Sequence, residues 1–383
     1  MTFIHKILTL FIITVLATPA FSFDTLARSA MVMDQTTGAV LMTKDADRPI
    51  PPASMSKLMT LYMLFEALRD GRVSMETEFL VSERATKIGG STMFLRSGER
   101  VSIRDLIQGI IVQSGNDACI TVAENIAGTE DAFARQMTKR ALELGMTSST
   151  FGNSTGWPDP IQRMSARDLV HIANLLITEF PDYYPFFSQT SFTWDGVKQS
   201  NRNPLLTLGI GADGLKTGHT NEAGYGLVGS AKQGERRIIF MLTGLETKSD
   251  RANEAEKLTN WAFRQFVNKN LFEKNETIVS AKVWLGDDKT VDLVAENKIS
   301  GLFPLGPLNN VKIEVSYSSP IEAPVKKGSR IAILTVTTPD MESTKHHLVA
   351  ANDVANGSIV SRVLASAQLL SSSLLDGRPW IQK

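Results

Sequence analysis

The sequence predicts an α+β fold in which helices pack against one antiparallel sheet, followed by a small all-β domain and a closing amphipathic helix. Three observations predict it. A strand hairpin pattern precedes several helical stretches, which give way to strand patterns and then one more helix. Beyond about residue 270, short strand patterns alternate with turns and contain no helical stretch. From residue 358 the apolar spacing becomes helical again. With 383 residues, 43% hydrophobic and 21% charged, the chain has the length for about two or three domains and the composition of a folded protein.

Residues 1–22 read as an export signal. His5 and Lys6 precede an apolar run over 7–16, and Ala20-Phe21-Ser22 supplies the small residues of a cleavage site. The run is shorter than the roughly 20 residues of a spanning helix. Pro19 and the small residues oppose an uncleaved anchor, so the mature chain is expected to begin at Phe23. Residues 31–33 and 39–42 flank Asp34-Gln35-Thr36-Thr37-Gly38 as a hairpin. Leu58, Leu61, Tyr62, Phe65 and Leu68 then recur at helical steps until Gly71. Ser102 with Asp105 resembles a capping box opening a helix over 106–112. Helical spacing continues over 118–126 and 132–144, and after the loop 151–162 it resumes near Ser165. Strands are expected over 192–197, 211–220, 224–231 and 236–245, with a helix over 250–266 closing the unit at about residue 270.

The second domain, 271–356, carries strand patterns at 279–285, 291–294, 311–317, 330–336 and 347–350, with a sandwich or barrel as the expected outcome. In the tail, 357–383, Val360, Val363, Leu364, Ala367, Leu370 and Leu374 share one helical face, and Trp380 follows Gly377 and Pro379. Such a helix either docks on its own protein or lies on a membrane with Trp380 at headgroup depth.

Charge and rare residues narrow the chemistry. Forty basic and forty acidic residues cancel, so no global field gathers nucleic acid. One cysteine permits neither an intrachain disulfide nor a cysteine-cluster metal site. No His-Glu-x-x-His or Gly-x-Ser-x-Gly occurs, and the neighbours His346 and His347 point to opposite sides of a strand. What remains is three short motifs. Ser54-Met55-Ser56-Lys57 opens the first strong helix, where a spacing of three sets hydroxyl and amine on one face. That lysine can take the serine proton only when neutral, a state favoured by burial and a second cation. Ser114-Gly115-Asn116 falls in a break between helices. Lys216-Thr217-Gly218 lies in a strand, where Gly218 would let a substrate backbone come close.

Each motif alone is weak; together, in this order, they are specific. The longer stretches Gln113-Ser114-Gly115-Asn116-Asp117-Ala118-Cys119 and Asp213-Gly214-Leu215-Lys216-Thr217-Gly218-His219-Thr220 narrow the match. The chain closely resembles the low-molecular-mass penicillin-binding proteins that act as D-alanyl-D-alanine carboxypeptidases of peptidase family S11, over nearly all of its mature length. The resemblance implies the β-lactamase/transpeptidase-like fold, peptidoglycan pentapeptide as substrate, β-lactam antibiotics as covalent inhibitors, and no metal or cofactor. It further implies attachment to the periplasmic face of the inner membrane through the tail.

By the same resemblance Ser54 is the nucleophile, Lys57 its general base, and Ser114 the relay of a proton to the departing amine. Asn116 holds the substrate amide and the lysine; Lys216 and Thr217 meet the terminal carboxylate beside Gly218. Backbone N–H groups of Ser54 and His219 form the oxyanion hole. Arg251 reads either as a second carboxylate contact or as a surface arginine at a helix start. Cys119 reads as a small buried hydrophobe near enough to the cleft for a thiol reagent to inhibit. Three rivals stand beside this reading. A β-lactamase lacks its Glu-x-x-x-Asn element here, a DD-endopeptidase shares every motif, and a non-catalytic wall-binding protein has no use for the motifs.

Overall fold

A computed structural model describes residues 23–305, 311–338 and 341–358. The expected signal, the cleavage position and nearly all of the expected tail helix lie outside the described residues. The N-terminal hairpin is β1 (Ser29–Asp34) and β2 (Val40–Lys44), closed where Asp34 Oδ1 accepts from Thr37 N at 2.9 Å. Next come α1 (Lys57–Arg69), β3 (Glu78–Leu80), α2 (Glu83–Lys87), β4 (Arg100–Ser102), α3 (Ile103–Gln108), α4 (Asn116–Ala127), α5 (Glu130–Glu143) and α6 (Ala166–Glu179). A hairpin, β5 (Ser191–Trp194) and β6 (Val197–Ser200), leads to the meander β7 (Ala212–Thr220), β8 (Gly224–Gln233) and β9 (Arg236–Leu245), and α7 (Lys248–Arg264) follows.

The sheet runs β2-β1-β9-β8-β7, wholly antiparallel, so the first hairpin completes the late meander. Alternation decides what each face meets. Met31, Val228, Ile239 and Met241 face the layer that holds α1 and α6. Val32, Leu227, Phe240 and Leu242 face Ala255, Leu258 and Ala262 of α7. Helix α1 runs through the middle, buried on nearly every side, which is why its apolar residues do not keep to one stripe.

Two local expectations change. The stretch 192–197 is a hairpin, because Asp195 (φ 47°) and Gly196 (φ 77°) make a tight turn with both residues left-handed. The helix expected over 106–112 starts at Ile103, directly after its cap: Ser102 Oγ accepts from Asp105 N at 3.1 Å. From Gly109 to Gln113 it widens into a π turn and ends at Ser114 in the left-handed region, φ 61°. Gly109 sits where a Cβ would fall 1.9 Å from Met93 Sδ, so the wide turn is packed against a neighbouring loop.

The second unit is all-β, with a six-stranded sheet over its own core of Ala281, Leu293, Phe303, Leu334 and Leu348. Its strands are β10 (Phe266–Phe272), β11 (Thr277–Trp284), β12 (Thr290–Ala295), β13 (Ile299–Pro304), β14 (Lys312–Ser316), β15 (Ile321–Glu322), β16 (Arg330–Thr337) and β17 (Thr344–Ala350). β10, β13 and β15 were not anticipated: β10 carries Asn268, Lys269 and Asn270, β13 carries Gly301 and Pro304, and β15 spans two residues. β10 starts immediately after α7 and pairs with β13. Phe266 and Leu302 join the apolar layer beneath α7, and Arg167 of α6 reaches Glu342 at 2.8 Å, so both units share a seam.

Candidate active site

Ser54 lies on a 3-10 turn, Ala53–Ser56, that runs straight into α1 with Lys57 as its first residue. The i to i+3 offset brings Lys57 Nζ to 2.9 Å from Ser54 Oγ. Lys57 is fully buried. Its ammonium also donates to Asn116 Oδ1 at 2.8 Å and to the Thr155 carbonyl. The Asn116 amide is oriented by its other end, because Nδ2 donates to Gly89 O at 2.8 Å. Ser114, turned by its left-handed backbone, accepts a hydrogen bond from Lys216 Nζ at 3.0 Å. The Lys57–Asn116 bond therefore joins the first motif to the second, and the Lys216–Ser114 bond joins the second to the third.

At Gly218 the space beside the strand is taken by the turn that carries Ser54. A Cβ there would lie 3.0 Å from Met55 Cγ, 3.1 Å from Pro52 O and 3.2 Å from Ala53 Cβ. The close approach is made by the protein's own turn before Ser54. Next on β7, the His219 ring stacks on Tyr225, its cross-strand neighbour, at 3.9 Å between centroids. Arg251 lies in the first turn of α7, not before it, and is buried. Its guanidinium sits over the same Tyr225 ring at 5.9 Å, donates to Arg202 O at 3.3 Å, and leaves Nε without a partner.

One wall of the cleft is the loop between α2 and β4. Asn116 N donates to Ser91 O at 2.7 Å, and the buried Asp117 carboxylate accepts from Met93 N at 2.9 Å and Leu95 N at 3.1 Å. Arg202 Nη1 donates to Ser91 Oγ at 2.6 Å. Among the described residues no group of three or more His, Cys, Asp or Glu side chains is placed to hold a metal ion.

Residues 15–247 match the family model described as D-alanyl-D-alanine carboxypeptidase, and residues 266–356 match that of the penicillin-binding protein 5 C-terminal domain. The chain belongs to the D-alanyl-D-alanine carboxypeptidase family. It is 36% identical to D-alanyl-D-alanine carboxypeptidase DacC of Escherichia coli, covering 88% of this chain and 86% of that one. Penicillin binding protein 5 from Haemophilus influenzae superposes with a TM-score of 0.74 at 33% identity, over 88% of this chain and 100% of that one. Penicillin-binding protein D2 from Listeria monocytogenes, solved in an ampicillin-bound form, superposes at 0.58 and 30% identity over 64% of this chain and 100% of that one. The activity is thus that of a serine D-Ala-D-Ala carboxypeptidase of the cell wall.

In this carboxypeptidase the electrostatics turn on burial. Loss of water pushes Lys57 down to about 8; the Arg202 charge pushes the same way, against Cys119 and Asp117. Lys216 is depressed well below its ordinary value by burial first, then by Lys57, Arg202 and Arg251. Four basic side chains, Lys57, Lys216, Arg202 and Arg251, thus crowd one cleft, which suits an incoming carboxylate. An anion beside Lys216 would favour its charged form and so hold Lys57 neutral. Burial, and then the Arg251 and Lys248 charges, push His219 below its ordinary value. Cys119 is fully buried and its thiol is pushed up to about 12, so the expected reach of a thiol reagent fails: the sulfur is neither exposed nor ionised. Arg202 and the Thr155 carbonyl escaped sequence reasoning, and Asp117 stood in a quoted stretch without a role. Arg202 sits in an Asn-Arg-Asn loop with no motif, and a backbone carbonyl leaves no trace in residue identity.

Proposed function

We propose that Ser54 attacks the carbonyl between the two terminal D-alanines of a peptidoglycan pentapeptide. The fully buried lysine amine within hydrogen-bond distance of the Ser54 hydroxyl is the observation that carries this reading. Lys57 takes the Oγ proton as the tetrahedral adduct forms, and backbone N–H groups of Ser54 and His219 hold its oxyanion. Ser114 relays that proton to the leaving nitrogen, giving up its own hydrogen and taking in exchange the one Lys57 removed from Oγ. Lys216 donates into a Ser114 lone pair, so the hydroxyl's own hydrogen remains available for that transfer. The C–N bond breaks and D-alanine departs; water then attacks the ester carbonyl, Lys57 takes the water's proton and passes it to Oγ as the Ser54–acyl bond breaks. Asn116 orients Lys57 and the substrate amide, while Lys216, Thr217 and Arg251, joined by Arg202, receive the terminal carboxylate. β-Lactams follow the same path as far as the acyl-enzyme. Peptide mapping by mass spectrometry after penicillin treatment is expected to place the adduct on Ser54; an adduct elsewhere or none at all overturns the assignment.

Arg251, buried with its Nε unpartnered, and the exposed Arg202 beside it bring two guanidinium groups to the expected carboxylate position. Replacing either by alanine removes one charge-assisted contact, so KM for pentapeptide is expected to rise about 10- to 100-fold with kcat changing less. Steady-state kinetics check this, and an unaltered KM in both variants sinks the carboxylate role.

Residues 1–22 are read as a cleaved export signal delivering the enzyme to the periplasm. The catalytic unit extends from Phe23 to the end of α7, the β unit from Phe266 to about residue 356, and the tail beyond is a peripheral membrane anchor. No described helix is long and apolar enough to cross a membrane. The apolar face of Val360, Val363, Leu364, Ala367, Leu370 and Leu374 supports an in-plane attachment. Deleting residues 359–383 is expected to shift the protein from the membrane to the soluble fraction on cell fractionation, with carboxypeptidase activity kept. A deletion that still sediments with membranes removes the anchor.

A further inference from the structure

A neutral lysine amine has two N–H bonds and one lone pair, and where the lone pair points decides whether it can take a proton. Two of the three partners of Lys57 can only accept: the Thr155 carbonyl, and Asn116 Oδ1, whose amide is oriented by the bond to Gly89 O. With both N–H bonds committed to those oxygens, the lone pair is left facing Ser54 Oγ. Without either acceptor the amine can turn an N–H toward the serine it must deprotonate.

The Thr155 acceptor is backbone, so its place depends on what grips the neighbouring residues. Ser154 is held on three sides. Its N–H and Oγ donate to Glu130 Oε1 at 3.1 and 2.8 Å, and its carbonyl accepts from Thr60 Oγ1 at 2.7 Å. Glu130 opens α5 and is 5% exposed. Its other oxygen accepts from Arg84 Nη2 at 2.7 Å, at the edge of a surface groove, while Arg84 itself is half exposed. The turn is also pressed onto the nucleophile's own segment: a Cβ on Gly156 would fall 1.9 Å from Ala53 O.

We propose that Glu130 is a positioning residue for the general base, anchoring Ser154 so that the Thr155 carbonyl orients the Lys57 lone pair onto Ser54. The inference rests on the reading of Lys57 as that base. The charged and titratable groups facing Lys57 are Lys216 from β7, Arg202 from the segment before it, and Asp117 and Cys119 from α4. Glu130→Ala removes none of them; the Glu130 charge bears on one, the Cys119 thiol, which it pushes up.

The test is the pH dependence of penicillin acylation in the full chain, with the final amount of bound penicillin counting competent sites. In Glu130→Ala the plateau rate per competent site is expected to fall about 10- to 100-fold, the scale of a displaced catalytic geometry. The acid limb is expected to move to lower pH, because an ammonium that loses an acceptor is less stable. A variant that merely holds less folded protein would lower the amplitude and leave rate and limb in place, and that outcome overturns the proposal. Glu130→Gln keeps an amide oxygen for both Ser154 donors and is expected to stay within about threefold of the parent. A fall as deep as that of alanine overturns the proposal too. Should Glu130→Ala not fold, Glu130→Asp draws the acceptor back by one methylene and carries the same expectation at about three- to tenfold; an unaltered rate there has the same negative force. Lys57→Ala measured alongside separates the two readings. Acylation surviving in that variant overturns the base assignment, whereas acylation lost there but unaltered in Glu130→Ala overturns only the role of Glu130.

Discussion

Ser54→Ala is expected to release no measurable D-alanine from a soluble muramyl pentapeptide and to form no penicillin adduct, a loss of at least about 10⁴-fold. No other described partner of Lys57 can replace the hydroxyl. Lys57 Nζ has Ser54 Oγ, Asn116 Oδ1 and the Thr155 carbonyl as partners, and Ser54 alone among them is a nucleophile. Cys119, the one thiol, is fully buried with its ionisation pushed up to about 12. The removed hydroxyl is partly exposed at the cleft, so folding should survive its loss. Release that persists in the variant, with an unchanged melting temperature, would mean that another group attacks.

Lys57 carries the second large effect. At pH 7.5 an ordinary lysine is neutral in about one molecule in a thousand, whereas one titrating at about 8 is neutral in about a quarter. The sign follows from the role: the base works unprotonated, so acylation should rise with pH through about 8 and fall below it as Lys57 gains a proton. Lys57→Arg keeps the charge but never supplies a lone pair near neutral pH, and is expected to lower acylation by about 10²- to 10⁴-fold, as far as Lys57→Ala does. An arginine variant that acylates at the parent rate, or a parent rate flat from pH 6 to about 9, contradicts a titrating base.

The regular elements were readable where one signal dominates. The hairpin of β1 and β2, the long helices α5 and α6, and the meander β7 to β9 all follow from hydrophobic period and turn residues. Reading failed where packing overrode propensity. β10 forms from Asn- and Lys-containing sequence because β13 and the layer under α7 receive Phe266 and its neighbours. The π turn at Gly109 exists because Met93 fills the space beside it.

The sequence by itself determined the family, the two-unit architecture and the Ser54–Lys57 pair, which depends on a spacing of three along one helix turn, whereas the Ser114–Lys216 pair joins residues 102 apart and appears only in the fold. Only the tertiary structure decided the environment that makes the residues useful. Burial lowers Lys57, and burial together with neighbouring cations lowers Lys216. Arg202 and Arg251 arrive from distant segments to crowd positive charge at one wall, and a carbonyl at Thr155 closes the ring around the amine. Desolvation and lone-pair direction depend on distance in space, and residues far apart in the chain leave no local pattern from which that distance can be read.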